Sequence, residues 1–192
     1  MIKLKVPISE QDIRKLKVGD EVLLSGTIVT ARDQAHKLMI EEKPDFIREY
    51  LKESVIYHCG PIVKKNDDGS WSFVSAGPTT SIREEPYQAD VICEYNVRGV
   101  IGKGGMREKT LEGLKKCGAV YFHAVGGAGT LIANSVKKVK TVFKLEEFGS
   151  PEAFWVIEVE DFPVIVTMDS HGNSLHEKIL EQSGKTAEEL IK

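Results

Sequence analysis

The sequence lacks any apolar run that approaches the roughly 20 residues needed to cross a bilayer. Residues 1–8 do not contain the long apolar core of a secretory signal. Charge of one sign is also scarce, because the net charge of the 192 residues is only −3. Such a balance gives no reason to expect nucleic acid or an anionic membrane as a partner. We therefore expect a cytoplasmic protein that binds neither.

Cysteine is rare, since Cys59, Cys93 and Cys117 lie far apart and form no C-x-x-C pair. An odd number of cysteines in a reducing compartment argues against a disulfide scaffold. Each lies in a largely apolar stretch, so we interpret all three as small buried side chains. Three cysteines would suffice in number for an iron–sulfur site, but their spacing does not support one.

Nucleotide-binding motifs, internal repeats and low-complexity linkers are absent as well. The glycine-rich stretches 102–105 and 126–129 match neither G-x-G-x-x-G nor G-x-x-x-x-G-K-[ST]. What is present is a chain with 41% hydrophobic and 29% charged residues, which is typical of globular proteins. We predict a single domain of mixed α/β type over residues 1–192.

Runs of β-branched and aromatic residues predict the strands, and helix formers between glycines or prolines predict the helices. Strands are expected at 21–30, with a bulge at Gly26, and at 55–59, 71–74, 119–125, 154–160 and 162–167. Helices are expected at 86–96, 107–117, 175–182 and 187–191. His123, inside the strand 119–125, is interpreted as a core histidine with its hydrogen bonds satisfied.

The stretch 76–83 follows a strand and joins a Gly-Pro turn to three hydroxyl residues. Thr79, Thr80 and Ser81 are all good helix N-caps. Thr79 and Arg83 are four residues apart, so we expect them on the same side of a helix that begins here. Free backbone N–H groups at a helix start favour an anion. This stretch therefore predicts a carboxylate or phosphate pocket.

Lys103 lies among glycines at the end of the apolar stretch 97–102. Glycines let a backbone approach a ligand closely, and lysine supplies a compact positive charge. A tight turn with a surface lysine would look the same in isolation. Beside the stretch 76–83, a binding site is the better interpretation.

Arg32, Asp33 and His36 follow the strand 21–30 and share one face of a predicted helix, because they are spaced three and four residues apart. Helix starts that follow strand ends are where α/β proteins gather polar chemistry. A solvated helix end with an Asp–His hydrogen bond is an equally good interpretation of these three residues.

Four motifs of this chain, SGTIVTARDQAHK, AGPTTSIR, GVIGKGGM and HGNSLHEK, occur in the order typical of one enzyme family. The chain resembles the β subunit of class I iron–sulfur fumarate hydratase, the β subunit of L-tartrate dehydratase and the C-terminal domain of one-chain class I fumarases. The resemblance extends over nearly the whole chain. It implies a swivelling domain of three layers, β/β/α, in a hydro-lyase with two kinds of subunit.

The resemblance also implies how the site works. The α subunit would bind a [4Fe–4S] cluster with one iron open to the substrate, and this chain alone would bind none. Arg32, Thr79, Arg83 and Lys103 match substrate-contacting positions of the family, and His36 matches an active-site histidine. We therefore expect a small dicarboxylate as substrate, with His36, Thr79 and Lys103 as catalytic residues.

These residue types suit the chemistry of dehydration. Removing a proton next to a carboxylate builds negative charge on that carboxylate, which arginine and lysine stabilise. The loss of hydroxide needs a Lewis acid, which the open iron of the resemblance would supply. Thr79 alone is too weak a base and would need activation, whereas His36 suits proton transfer near neutral pH. The identity of the base stays open at this point.

Two classes of function are compatible with these residues. One is half of a hydro-lyase, α2β2 in assembly on the family pattern, that acts on fumarate and malate or on tartrate. The other is a carboxylate-binding module without chemistry. Fumarate is the preferred substrate because its hydration is the more widespread activity. The motifs themselves do not separate two dicarboxylates.

Overall fold

The computed structural model describes residues 1–191. The strands are β1 (Ile2–Lys5), β2 (Glu21–Thr30), β3 (Val55–Tyr57), β4 (Ile62–Lys65), β5 (Trp71–Ser75), β6 (Gly99–Gly102), β7 (Val120–His123), β8 (Val136–Phe143) and β9 (Phe154–Met168). The helices are α1 (Glu10–Ile13), α2 (Asp33–Glu41), α3 (Arg48–Leu51), α4 (Glu85–Tyr95), α5 (Glu108–Cys117), α6 (Gly129–Ala133), α7 (Leu145–Phe148) and α8 (Leu175–Ile191). Short 3₁₀ helices form at Asp45–Ile47 and Ser81–Glu84.

A seven-stranded sheet in the order β1-β2-β3-β6-β7-β9-β8 organises the domain. Strands β1, β2, β3, β6 and β7 run parallel, and β9 is antiparallel to β7. Strand β9 also pairs with β2 along the whole length of β2, from Glu21 to Thr30. The sheet therefore closes on itself through β9. Strands β4 and β5 form a separate hairpin.

Alternate residues of the strands face two different hydrophobic cores, as the two-residue period of a strand requires. In β9, Trp155 and Ile157 belong to the core on the side of the β4–β5 hairpin, whereas Phe154 and Val156 belong to the other. The second core is covered by α2, α3, α4 and α5. Hairpin, sheet and helices thus form three layers, and the predicted α/β fold is confirmed.

The β-bulge predicted at Gly26 is present. It also accounts for the difference between the predicted and the observed strands at residues 154–167. The register between β2 and β9 shifts between Leu24 and Gly26, and the extra residue lies on β9. Gly26 has φ +119, and a Cβ there would lie 2.7 Å from the carbonyl oxygen of Val6. Only glycine suits this position.

The prediction of two strands at 154–160 and 162–167 is wrong, because β9 is one strand of 15 residues. Asp161 adopts φ +48 inside the bulge rather than in a turn. Its N–H donates to Oγ of Ser25 at 2.9 Å, so the interrupted ladder is satisfied by a side chain. Pairing with β2 keeps the chain extended on both sides of the bulge.

The prediction of two C-terminal helices, 175–182 and 187–191, is also wrong. One helix, α8, runs through Ser183 and Gly184. The hydroxyls of Ser183 and Thr186 donate to the carbonyl oxygens of Leu180 and Gln182, at 3.1 and 3.2 Å. These hydrogen bonds lie within one continuous helix, where the sequence predicted a break between residues 182 and 187. No helix in residues 1–191 is long and apolar enough to span a membrane.

The expectation that all three cysteines are unpaired and buried is corrected for two of them. Cys93 on α4 and Cys117 on α5 form a disulfide, with their Cα atoms 5.5 Å apart. The helices approach closely because residue 113 of α5 is glycine, where a Cβ would lie 2.8 Å from that of Ala89. Cys59 is free and buried, as expected.

Candidate active site

The candidate site lies at the carboxyl ends of the parallel strands. Strands β2, β3, β6 and β7 end at Thr30, Tyr57, Gly102 and His123. Their parallel register brings these ends to one edge of the sheet. Arg32 follows the first of them, His58 the second and Lys103 the third. Ligands of α/β proteins bind at such an edge.

The loop that carries Thr79 is bonded to this edge by its backbone. The N–H of Thr79 donates to the carbonyl of His58 at 2.6 Å, and that of Lys103 donates to the carbonyl of Thr79 at 3.2 Å. The N–H of Ser81 donates in turn to the carbonyl of Lys103 at 3.0 Å. A Cβ on Gly102 would lie 1.8 Å from Oγ of Ser81, so glycine is required for this approach. Thr79 and Lys103 are therefore neighbours.

The expected helix start at Thr79 is corrected. Residues Ser81–Glu84 form a 3₁₀ helix without a side-chain cap, and α4 begins only at Glu85. Thr79 lies outside both elements, because its backbone groups are bonded to His58 and Lys103. Thr79 and Arg83 are thus placed by the loop and the sheet edge rather than by the spacing of an α-helix.

Both arginines of the site are held by carboxylates of this chain. Arg83, whose side chain is 55% exposed, forms an ion pair with Asp33. Arg32 is mostly buried and lies 3.3 Å from Glu152. A Cβ on Gly60 would lie 2.5 Å from Nη1 of Arg32, so Gly60 makes room for this guanidinium. Asp33 connects the two, since it follows Arg32 directly and binds Arg83.

Lys103 is the cation at this edge with the greatest freedom. Of the site's three cations, both arginines form ion pairs and Lys103 forms none within residues 1–191. Its side chain is half-buried beside Gly126, whose added Cβ would lie 3.5 Å from Cδ of the lysine. A partly buried ammonium without a counter-ion is suited to bind an anion.

His36 is fully buried and belongs to a hydrogen-bonded chain of side chains beneath the site. Its Nδ1 lies 2.9 Å from the carbonyl oxygen of Arg32, and its Nε2 lies 2.9 Å from the side-chain amide of Gln88. The same amide contacts Nε2 of His58 at 2.7 Å. His36 makes no hydrogen bond with Asp33, so the Asp–His pair considered from the sequence does not form.

The chain continues from His58 to the sheet. Nδ1 of His58 lies 2.8 Å from Oγ of Ser81, which accepts a hydrogen bond from the hydroxyl of Tyr121 at 2.8 Å. Burial raises the pKa of Tyr121, although its bonds with Ser81 and Gly105 oppose this. The network therefore fixes the 3₁₀ helix Ser81–Glu84 on β7.

Both histidines of this network are neutral at physiological pH. Burial lowers the pKa of His36 despite its hydrogen bonds, and burial together with the nearby His36 lowers that of His58 further. A neutral imidazole has one N–H, and a carbonyl oxygen can only accept, so His36 donates from Nδ1 to Arg32. Its Nε2 then accepts, so the amide of Gln88 is oriented with its NH₂ group donating to Nε2 of both His36 and His58.

Glu84 and Asp33 form a second polar feature beside Arg83. Glu84 is 0% exposed, and neither of its carboxyl oxygens has a hydrogen-bond partner in residues 1–191. Burial and the nearby Asp33 raise the pKa of Glu84 to about 8. Burial opposes ionisation of Asp33 too, but Glu84 and the charges of Arg83 and Arg32 lower its pKa. Asp33 is therefore the carboxyl group that ionises first, and Glu84 the one that keeps its proton at neutral pH.

Sequence reasoning missed His58, Gln88, Glu84 and Tyr121. They come from the loop after β3, α4, the 3₁₀ helix Ser81–Glu84 and β7, and no local motif links them. Glu84 directly follows the stretch 76–83 that was singled out, but its full burial cannot be read from the sequence. His123 was interpreted as a satisfied core residue, yet it is half-buried and its Nδ1 has no hydrogen-bond partner in residues 1–191.

The cysteines of this chain do not fit an iron–sulfur cluster. Cys93 and Cys117 are joined to each other, and Cys59 is buried with a pKa raised by burial to about 12. A cluster needs thiolate ligands that converge on one point. Within residues 1–191, no three His, Cys, Asp or Glu side chains are grouped for a metal ion.

Fold and site define an α/β domain that gathers cations and hydroxyls at the carboxyl edge of a closed sheet. The family model described as Fumarase C-terminus matches residues 1–179. The chain belongs to this family.

Relatives with names divide into two groups. The chain is 50% identical over 183 residues to a protein of Geobacillus stearothermophilus named fumarate hydratase class I, covering 95% of this chain but 35% of that protein. It is 47% identical over 190 residues to a protein of Methanocaldococcus jannaschii named L(+)-tartrate dehydratase subunit beta, covering 96% and 95%. The protein of that name in Escherichia coli is 42% identical over 173 residues, covering 90% and 85%. The chain thus spans about a third of the first relative.

Proposed function

We propose that this chain is the β subunit of a two-subunit iron–sulfur hydro-lyase that hydrates fumarate reversibly to L-malate. The observation that carries the proposal is the 50% identity that aligns 95% of the chain with a protein named fumarate hydratase class I. The relatives named as β subunits, of which the chain covers 95% and 85%, support the assignment to that subunit.

The site offers two kinds of contact to a dicarboxylate. Lys103 provides an ammonium with no counter-ion among residues 1–191, and Arg83 provides a guanidinium that is paired with Asp33 while its side chain remains 55% exposed. Thr79 lies beside Lys103 and can donate its hydroxyl to a carboxylate oxygen. Arg32 is mostly buried beside Glu152 and adds its positive charge to the site. Two cations of different freedom suit a substrate with two carboxylates.

The same cations assist the chemical step. Removal of the proton next to a carboxylate moves negative charge onto the carboxylate oxygens. Lysine and arginine already directed at those oxygens stabilise the charge without reorganisation. This chain's residues therefore bind the substrate, orient it and stabilise the developing charge.

His36 keeps a place in the proposed site, but as a positioning residue. It is 0% exposed, neutral and bonded on both nitrogens, so a substrate cannot reach it. Its bond to the carbonyl of Arg32 fixes the turn between β2 and α2, from which Arg32 and Asp33 project. Its predicted catalytic role remains a prediction that this geometry does not favour.

An apolar groove beside the site supports a partner subunit. Val125, Leu131 and Ile165 are 63%, 68% and 40% exposed and line a cavity of about 610 Å³. Gly126, next to Val125, lies close to the side chain of Lys103, since a Cβ added there would be 3.5 Å from Cδ of the lysine. Exposed apolar surface of this kind marks protein interfaces. We assign it to the α subunit, which the resemblance credits with the cluster and the remaining catalytic groups.

L-tartrate dehydration is the second candidate, because the relatives that the chain covers almost completely carry that name. Tartrate and malate are both 2-hydroxy diacids, so the same cations would bind either one. A carboxylate-binding module without chemistry is the third. It requires no partner.

The test is anaerobic co-expression with a candidate α subunit, followed by assays of fumarate, malate and both enantiomers of tartrate. We expect co-purification of the two chains and hydration of fumarate. Activity restricted to tartrate would replace the substrate assignment. Carboxylate binding by a chain that never associates with an α subunit would contradict the hydro-lyase assignment.

A further inference from the structure

The carboxyl groups of Asp33 and Glu84 leave three buried oxygens without a partner. Glu84 is 0% exposed, and neither of its carboxyl oxygens has a hydrogen-bond partner in residues 1–191. Oδ1 of Asp33 is buried without a partner as well. Burial and the charge of Asp33 raise the pKa of Glu84. One proton on Glu84 would let it donate to Asp33, whereas two carboxylates can only accept.

The surroundings assign that proton to Glu84. Arg83 forms an ion pair with Oδ2 of Asp33, so the negative charge of Asp33 is compensated. Glu84 has no ion pair in the part of the chain that the structure describes, and it follows Arg83 at the end of the 3₁₀ helix. The titratable and charged groups around this helix are Asp33, Arg32 and His36 near α2, His58 after β3, Lys103 after β6, Glu85 on α4, Tyr121 on β7 and Arg83 itself.

We propose that Glu84 is a positioning residue for Arg83: as a neutral acid it donates its proton to Asp33, and the Asp33 carboxylate holds the guanidinium at the mouth of the site. The role in turnover rests on the proposed function, whereas the shared proton does not. Glu84 touches neither substrate nor reacting atoms in this arrangement. While Glu84 carries its proton, it is a hydrogen-bond donor to Asp33. Once Glu84 is ionised, it competes with Asp33 for Arg83.

Loss of the proton changes the arrangement in a defined direction. An ionised Glu84 places a second negative charge against Asp33, where the two carboxylates repel each other and compete for Arg83. Because the pKa of Glu84 is raised to about 8, this occurs at mildly alkaline pH. Arg83 should then leave its position. The expected signature is a loss of substrate binding and turnover above about pH 8.

The first experiment uses the chain by itself and needs no variant. Carbon-13 NMR should show the Glu84 carboxyl titrating near pH 8, and the side-chain N–H of Arg83 should shift with the same midpoint. A Glu84 midpoint near its ordinary value of 4.5 would overturn the proposal. So would an Arg83 signal that does not respond while Glu84 titrates.

The stability of the same chain provides a second readout. A pKa raised on folding stabilises the protein fully below the unfolded value of 4.5, and this contribution is lost as the pH rises to about 8. Glu84→Gln resembles the protonated acid, so it should gain stability relative to the wild type between these pH values. Glu188→Gln, on the exposed face of α8, is the matched control. A pH-independent difference between Glu84→Gln and the wild type contradicts the proposal.

Kinetics in the two-subunit enzyme then test the positioning role. Glu84→Ala should lower kcat/KM at pH 7 by about tenfold or more, because a hydrogen bond to a charged group is lost. Glu84→Gln should recover most of this loss and remove the alkaline decline. An unchanged alkaline decline in Glu84→Gln would overturn the role. A wild-type pair inactive on fumarate and tartrate would instead refute the proposed function, and the NMR titration would still decide where the proton lies.

Discussion

Lys103 and Arg83 reach the candidate site with different freedom. The lysine has no counter-ion in residues 1–191, whereas the arginine is already paired with Asp33. A bound carboxylate would gain the full charge of the lysine but would share the arginine with Asp33. Lysine is therefore the better candidate for following charge as it moves during the reaction. Arginine is the better candidate for orientation.

Replacing either cation should reduce turnover more than binding. Lys103→Ala and Arg83→Ala should each lower kcat by roughly 10²–10³, the usual effect of losing one preorganised donor. Arg83→Lys should also be impaired, because an ammonium cannot form a bidentate fork with Asp33 and a substrate. Lys103→Arg should suffer from its bulk against Gly126.

The measurement is steady-state kinetics of the reconstituted pair, with cluster content verified. Lys178→Ala, an exposed lysine of α8, is the matched control and should behave as the wild type. Wild-type kcat/KM in both Lys103→Ala and Arg83→Ala would remove these residues from the site. The turn with a surface lysine would then be the correct interpretation.

Which residues could be found from the sequence depended on whether their signal was local. Thr79 and Lys103 stood out because glycines accompany them, and the structure makes their backbones neighbours. Glu84 and Gln88 gave no such signal, because a carboxyl or an amide in a helix is usually solvated. Glu84 is 0% exposed only because the folded domain packs around the 3₁₀ helix Ser81–Glu84. The predicted substrate contacts of Arg32, Thr79, Arg83 and Lys103 stay predictions, as do the catalytic roles of His36, Thr79 and Lys103.

At the level of elements, the parallel strands β2, β3 and β7 were predicted, whereas the parallel strand β1, the longest strand and the longest helix were not. Strands such as β2 consist of β-branched residues between clear turns, so local pattern and tertiary structure agree. At Asp161 and at Ser183 the local pattern indicated an interruption. In both places a serine hydroxyl bonds to the backbone, and the element continues. The hydroxyl of Ser25 accepts from the N–H of Asp161, and that of Ser183 donates to the carbonyl of Leu180. Such hydrogen bonds depend on how the chain folds around the segment, which the sequence of the segment alone does not show.

The disulfide between α4 and α5 should contribute measurably to stability. It closes a segment of 24 residues, and a cross-link of this span typically stabilises by about 3 kcal/mol. Cys93→Ser should therefore lower the free energy of unfolding by about that amount under oxidising conditions. Denaturant unfolding with and without reductant measures the effect.

Two comparisons make this measurement specific. Cys93→Ser and the double variant Cys93→Ser/Cys117→Ser should be equally stable, because either one removes the same bond. Reductant should destabilise the wild type and leave both variants unchanged. A wild-type protein that is insensitive to reductant would contradict a stabilising role of the disulfide.

For the whole molecule, the arrangement of cysteines predicts that the chain by itself holds no iron–sulfur cluster. Two thiols are used in the disulfide and the third is buried with a raised pKa. Anaerobic reconstitution of the isolated chain should leave it colourless and without hydratase activity. A stoichiometric brown cluster bound through Cys59, Cys93 and Cys117 would overturn the division of labour between subunits.

The apolar groove predicts how the two subunits associate. Leu131→Asp places a charge in the groove and should weaken co-purification with the α subunit at least tenfold, because a buried unpaired charge is unfavourable. Leu180→Asp is the matched control, since Leu180 is 74% exposed on α8 and does not line the groove. Light scattering should show the pair, α2β2 on the family pattern. Equal association of both variants would place the interface elsewhere.

The closure of the sheet by β9 has a consequence for how the chain folds. Glu21 pairs with Ile165, so the ladder between β2 and β9 cannot form until a strand more than a hundred residues further along the chain has been synthesised. During synthesis the parallel strands and their helices emerge first, with one edge of β2 exposed and able to pair with other chains. Contacts of such long separation slow folding. Release of the segment Phe154–Met168 from the ribosome should therefore be the event that ends the aggregation-prone interval of synthesis.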